Sequence, residues 1–292
     1  MSVIAAEQLT KRYGHRVGIE GLNLSVPDGA VFGFLGPNGS GKTTTIRVLL
    51  GLLKPSEGTA RIFGLDCWRY SHRTKAEVGY LPGDLRLYPW LTCRVALRMF
   101  GSVRGRDLHG TGSELAIDFG LDPDVRVRVM SRGMRQKLGL ILALAHRPRL
   151  LILDEPTASL DPLMQNKLYQ HLRTLASTGH TVFFSSHTLS EVEHLCDRVA
   201  ILREGKLVAD ETLDALRARA RRVVTIRWKA SARLGEITTP RFVHLLEQRG
   251  RLWRATLTED VMDLVRWSAG QPIEDLSVGQ PDLATLFEQY YK

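Results

Sequence analysis

Gly36-Pro37-Asn38-Gly39-Ser40-Gly41-Lys42-Thr43 fits the spacing G-x-x-x-x-G-K-[ST], which suits the binding of phosphate. Its glycines let successive backbone N–H groups turn inward as an anion cradle. A helix opening at the end of the loop adds its positive N-terminal end, where Thr44 follows Thr43. Lys42 brings a point charge for β- and γ-phosphates, and Thr43 a hydroxyl for Mg²⁺. Downstream, Asp154-Glu155 closes the apolar run Leu150-Leu151-Ile152-Leu153. Asp154 there reaches the Mg²⁺ shell opened by the loop. Glu155 points elsewhere and suits a general base acting on the attacking water. An isolated Asp-Glu after a strand is commonly a helix cap; behind a phosphate loop it reads as a metal ligand and a base.

These residues need strands and helices to hold them. Val31 to Leu35 reads as a buried strand entering the loop, and Thr43 to Leu53 as a helix ended by Lys54-Pro55-Ser56. Thr59 to Phe63 is a further strand. From about 90 to 130 the pattern is helical with glycine joints, an inserted helical subdomain. Arg132 to Ala145 reads as a helix and Leu150 to Leu153 as a parallel strand buried on both faces. Pro162 to Ser177 reads as a helix with Asp161 at its N-cap, and Thr181 to Ser185 as the next strand. Glu204-Gly205 marks a hairpin between Val199–Leu202 and Leu207–Ala209. Past Arg222, Val223 to Trp228 and Leu252 to Leu257 read as strands. Phe242 to Gln248, Val261 to Trp267 and Pro281 to Tyr291 read as helices. The expected division is 1–221 and a small α/β domain over 222–292.

Between the phosphate loop and Asp154 lies Ser131-Arg132-Gly133-Met134-Arg135-Gln136; after it come Ser159-Leu160-Asp161 and His187. The first resembles the L-S-G-G-Q signature of ATP-binding cassette (ABC) ATPases, in the form S-[KR]-G-M-x-Q. With the ordered set, roughly residues 1 to 220 resemble that family. The resemblance implies an α/β P-loop NTPase core of the ABC type with a helical subdomain, using ATP and Mg²⁺. By it, Gly36 to Thr44 hold ATP, and Ser131 and Gly133 contact the γ-phosphate of a second ATP-binding subunit. By it too, Tyr13 resembles the aromatic that stacks on adenine, and Asp161 the residue that couples two sites across a dimer. His187 resembles the switch histidine at the γ-phosphate, catalytic with Glu155. Val78 to Asp84 falls where the family carries its Q-loop. Gly83 occupies the position of the glutamine; Asp84 either takes part of its role at the metal beside Thr43 and Asp154 or is an ordinary turn residue. The segments Ile273–Val278 and Asp282–Phe287 resemble the tail of ABC-2 type exporter ATPases. The partners implied are integral-membrane permease subunits and a second ATP-binding subunit, at the cytoplasmic face of the membrane. For 222–292 the expected role is dimer support or regulation.

Composition agrees with a globular protein, 43% hydrophobic and 24% charged. No apolar run reaches the roughly 18 residues of a membrane span, and no signal peptide is apparent. Cys67, Cys93 and Cys196 form no C-x-x-C pair, which argues against zinc or a disulfide framework. The net charge of +9 is compatible with nucleic acid, anionic lipid or ATP. Yet the cluster Arg217, Arg219, Arg221 and Arg222 has no interleaved aromatics to stack bases, and reads as a solvated helix end. An ABC-type ATPase acting on nucleic acid or the ribosome is the alternative. It is disfavoured because the chain carries one cassette, with neither coiled coils nor zinc motifs between loop and signature; no nucleic acid is expected. A regulatory or resistance factor that binds ATP without transport is a third reading, against which Glu155 stands.

Overall fold

The computed structural model describes residues 2–258 and 260–281 together with Leu283, Leu286 and Phe287. Two compact units, Met1–Leu213 and Asp214–Lys292, divide the chain. The division leaves most of helix α8 (Leu213–Arg219) in the second unit, ahead of the boundary drawn at Arg221.

In the first unit, β1 (Ser2–Tyr13) pairs antiparallel with β2 (Arg16–Pro27) and with β4 (Glu57–Ile62), and β5 (Leu65–Asp66) extends this sheet. The second sheet has the order β10-β9-β3-β8-β7-β6. Its central members are β3 (Val31–Leu35), β7 (Leu150–Asp154) and β8 (Thr181–Ser186), parallel and buried at every residue. Such burial on both faces is why β3 and β7 as far as Leu153 read as unbroken apolar runs rather than alternations. Beside them lie β6 (Val78–Leu81) and β9 (Arg198–Arg203); β10 (Lys206–Thr212) returns antiparallel. Glu204 (φ 49°) and Gly205 (φ 80°) both take positive φ, the signature of a type I′ hairpin turn.

One core cluster joins Ile4, Leu9, Leu22 and Ile62 of the antiparallel sheet to Ile46 and Leu49 of α1 (Lys42–Leu49). It continues into Phe32, Ile152 and Phe183 of the central strands. Helix α1 stops before Lys54: Gly51 adopts φ 60°, the Gly51 N–H donates to Val48 O, and the Leu52 N–H donates to Arg47 O. That is a Schellman close, so a left-handed glycine ends the helix ahead of Pro55. Helix α2 (Ser71–Ala76) precedes β6. The helical region comprises α3 (Cys93–Arg104) and α4 (His109–Asp118), with a 3₁₀ turn over Val127–Val129. Helix α5 (Arg132–Leu144) then carries the chain back to the sheet, followed after β7 by α6 (Pro162–Ser177) and after β8 by α7 (Leu189–Leu195).

The seat of α5 on the sheet is set by small residues. A Cβ at Gly79 of β6 would lie 2.2 Å from the Ala143 carbonyl of α5. His146, just past α5, is buried and meets the Val78 carbonyl through Nε2 at 3.3 Å. Burial first, then the charge of Arg104, pushes its pKa from 6.5 down to about 4. All three cysteines are buried and free. Burial drives the Cys67 thiol up to about 12 and Cys93 up to about 11, so both behave as small apolar groups.

The second unit is a sheet of order β12-β13-β11-β14, formed by β11 (Arg222–Trp228), β12 (Val243–Arg249), β13 (Leu252–Leu257) and β14 (Ile273–Pro281), with α9 (Val261–Ser268). The stretch Phe242 to Gln248, expected as helix, is therefore a strand. Val243 pairs with Leu257 and Arg249 with Leu252, across a turn at Gly250 (φ 56°). Pairing with a committed neighbour outweighs the spacing of its apolar residues. The terminal helix expected over Pro281 to Tyr291 lies for the most part outside the described residues. No helix among the described residues is long and apolar enough to cross a membrane.

Two predictions follow from the α5 seat. Gly79→Ala should destabilise the chain by about 1–3 kcal/mol through overpacking, read as a lower melting temperature. For His146 the unfolded chain takes up its proton first, near pH 6.5, and the folded chain only near 4. Stability is thus lost as pH falls across that window, by at most about 3 kcal/mol. His146→Gln should keep the bond to Val78 and flatten this acid slope in urea melts at graded pH; an unchanged slope would refute it.

Candidate active site

The carboxyl ends of β3, β8 and β7 lie side by side, and their register brings the chemistry together. Leu35 pairs with Ser186, and Asp154 with Ser185. In open α/β sheets, ligands sit outside this edge. The Asp154 carboxylate, 2% exposed, is clamped from both sides. Thr43 donates its hydroxyl to Oδ2 at 2.9 Å, and Ser185 donates its hydroxyl to Oδ1 at 2.5 Å. Thr43 and Asp154 thus present adjacent oxygens, the donor type that a hard divalent cation takes.

The phosphate loop wraps the start of α1. Gly39 and Gly41 take φ 82° and 109°, and a Cβ on Gly41 would lie 2.5 Å from the Gly18 carbonyl. Only glycine fits there. No side chain caps α1 and no acid lies in its first turn, so its positive end is open to an anion. Lys42 is buried, donating to Gly36 O at 2.7 Å and Pro37 O at 3.2 Å. Burial lowers its pKa, against the opposing pull of Glu155 and Asp154. A cleft of about 430 Å³ opens over the loop, lined by Tyr13, Arg16, Gly18, Lys42, Thr44 and Glu155 among others. A Cβ on Gly18 would come within 2.9 Å of the Tyr13 ring, so Gly18 gives that half-exposed ring its place at the cleft. An uncapped helix end, Lys42 and Thr43 on one cleft, with the Asp154 carboxylate bonded to the Thr43 hydroxyl, fit a nucleotide with its Mg²⁺.

Glu155 stands at the cleft wall in the left-handed region, at φ 51°. For a residue with a side chain that conformation costs about 1–2 kcal/mol and persists only where neighbours enforce it. Here its N–H is held by Ser185, at 3.2 Å from both the carbonyl and the hydroxyl. Its carboxylate lies 3.8 Å from Lys42 Nζ and 3.4 Å from His187 Nδ1. His187 is more than half exposed.

Ser131 caps α5, accepting from the Met134 N–H at 3.2 Å, and stands exposed with Arg132 at that helix end. Gly133 packs so closely on the Ser159 carbonyl that a Cβ would lie 2.8 Å away. Gln136 donates to Pro156 O at 3.0 Å, tying α5 to the segment after Glu155. Ser159 takes φ 66°, and Asp161 caps α6 by accepting from the Met164 N–H at 2.9 Å. Asp84 ion-pairs with Arg86 at 2.8 Å, both largely exposed, and forms no bond to Asp154. The residue beside Asp154 is Gly83, whose absent Cβ would lie 3.3 Å from Oδ2.

Sequence reasoning missed Ser185, Gln136 as a tether, and Arg16 on the cleft wall. Ser185 had one signal: hydroxyls at 185 and 186 follow the apolar stretch Val182-Phe183-Phe184 within a strand that is buried throughout. Ser185→Ala should raise the Mg²⁺ concentration needed for half-maximal ATP turnover several-fold. It should also cost about 1–3 kcal/mol of stability, as a buried carboxylate loses a donor. Unchanged Mg²⁺ dependence in a titrated hydrolysis assay would contradict that role.

Residues 19–158 match the ABC transporter family. The bacitracin transport ATP-binding protein BcrA of Bacillus licheniformis is 39% identical over 224 residues, covering 76% of this chain and 73% of that protein. The ABC transporter ATP-binding protein YdbJ of Bacillus subtilis, itself uncharacterised, is 32% identical over 293 residues, 99% of this chain and 94% of its own length. Among solved structures, an ATP-binding subunit of an ABC transporter superposes with a TM-score of 0.70 at 28% identity, covering 75% of this chain and 93% of that one. With this family match, these identities and this fold, the chain belongs to the ABC transporter family as an ATP-binding, ATP-hydrolysing subunit.

Proposed function

We propose that this subunit powers export of a small molecule, a drug, antibiotic or lipid, through separate membrane permease subunits. It would sit at their cytoplasmic face without entering the bilayer. The observation that carries the chemistry is the Asp154 carboxylate held between Thr43 and Ser185, with Glu155 following β7, His187 following β8, and the two side chains 3.4 Å apart. A relative named for bacitracin transport and one named for linearmycin resistance support the export assignment.

In this reading, Gly36 to Thr44 cradle the phosphates of ATP and Tyr13 faces the base. Thr43 and Asp154 hold Mg²⁺, which neutralises charge on the phosphates when bound; Asp84 has no part in that set. Glu155 takes a proton from water as the water oxygen attacks the γ-phosphorus. The bond to the β–γ bridging oxygen breaks, leaving ADP and phosphate. His187 steadies Glu155 and the transferred group. Ser131 and Gly133, at the open end of α5, serve the γ-phosphate of a second subunit, and Asp161 lies at the joint between the two. Two subunits closing head to tail bury both sites, and closure favours one state of the permease. The second unit, from Asp214, supports the dimer or regulates it.

Glu155→Gln should bind ATP with undiminished affinity and lose turnover by about 10²–10⁴-fold. It should also accumulate as an ATP-dependent dimer on gel filtration. Turnover near the wild-type rate would overturn the assigned base. Tagged protein drawn from detergent-solubilised membranes should bring a polytopic membrane protein in stoichiometric amount; ribosomes or DNA in its place would overturn the export reading.

A further inference from the structure

The loop after Glu155 and the loop carrying His187 are joined by a residue that neither motif contains. Glu191, in the first turn of α7, does not turn its carboxylate back on its own helix end. Oε2 accepts the Ser186 hydroxyl at 2.5 Å, and Oε1 accepts the Thr157 hydroxyl at 2.5 Å. Both hydroxyls are nearly closed to solvent, Ser186 at 1% and Thr157 at 6% exposed. Hydrogen bonds to an ionised acceptor are about twice as strong as neutral ones, the more so out of water. Tyr169 of α6 closes the same space: burial first, then the Glu191 charge, raises its phenol to about 12.

Each bonded hydroxyl sits at the root of a functional loop. Ser186 precedes His187, and its oxygen accepts the Thr188 N–H at 2.8 Å, fixing the turn on which the imidazole stands. Thr157 lies two residues past Glu155, and its carbonyl accepts the Leu160 N–H at 3.1 Å, shaping the turn that runs through Ser159 to Asp161. The same segment is held from the other side by Gln136 of α5. From these contacts we infer that Glu191 is a positioning residue for hydrolysis. Its carboxylate couples the His187 loop to the Thr157–Asp161 loop, so that the two adopt their working geometry together. Glu191 touches no reacting atom; it acts through His187 and Glu155. This rests on the ATPase assignment and concerns only how the site is held.

Misplacing catalytic groups by a fraction of an ångström to an ångström costs on the order of tenfold to a hundredfold in rate. In the full-length protein, Glu191→Ala should lower kcat by that range without a matching rise in KM for ATP. Glu191→Gln should restore most of the loss, since its carbonyl accepts one hydroxyl and its amide donates to the other. Independently of activity, hydrogen exchange should rise in Glu191→Ala in both the 157–161 and 186–188 segments. Thr157→Val, a small change that serves if Glu191→Ala fails to fold, should raise exchange across the joint in 186–188. Wild-type kcat in Glu191→Ala, or exchange confined to the mutated residue's own segment, would overturn the coupling. A wild-type chain without turnover would count against the ATPase assignment instead, and the exchange measurements would still decide the role of Glu191.

Discussion

The Asp154 carboxylate is the group on which the site depends. It is almost fully buried, and two hydroxyls from two different elements donate to it, as a buried polar group requires. Thr43 belongs to the first turn of α1 and Ser185 to the end of β8. Satisfying one carboxylate therefore fixes the phosphate loop against the central sheet. Ser185 then extends the constraint, since its oxygen and carbonyl also hold the Glu155 N–H in a backbone conformation that a glutamate does not take unaided. The carboxylate proposed to hold the metal and the residue proposed as general base are thus both positioned by one serine.

A second constraint is the close seating of α5. Gly79 allows the Ala143 carbonyl onto β6, and Gly133 allows the start of the helix onto Ser159. Gln136 closes the gap by donating to Pro156. The exposed end of α5 with Ser131 is thereby tied to the loop after Glu155, within one chain. Ser131, proposed to face a second subunit, and Glu155, proposed as the base, are thus parts of one packed assembly. Interiors packed at crystal-like density pass small shifts on rather than absorb them.

The second unit has its own core and needs none of this. Trp228, fully buried, meets Trp253 at 5.1 Å and Trp267 at 6.1 Å in edge-to-face contacts, with Val224, Ile226 and Leu264 around them. Three large rings supply the apolar area that a small four-stranded sheet otherwise lacks.

Much of this was legible in the chain order. Strands buried on both faces read as apolar runs, and Asp161 before Pro162 announced a helix start that the structure has at that residue. Glycine spacing in the phosphate loop and the Asp-Glu pair were visible because phosphate chemistry restricts residue type as strongly as position; His187 stood out only by its place in the order of motifs. Register was not visible. That Asp154 lies opposite Ser185, and Leu35 opposite Ser186, is decided by three strands far apart in sequence pairing in parallel. The strand at Val243–Arg249 was misread as a helix for the same reason: its partner, not its own spacing, chose its state. Ser185, Gln136 and Glu191 are ordinary residues until packing turns each toward a particular oxygen or hydroxyl. Sequence determined which groups could carry phosphate chemistry, because backbone strain and charge leave few residue types able to do it. Only the tertiary structure decided which common polar side chains hold those groups in place, because a hydrogen bond depends on distances that non-local packing sets.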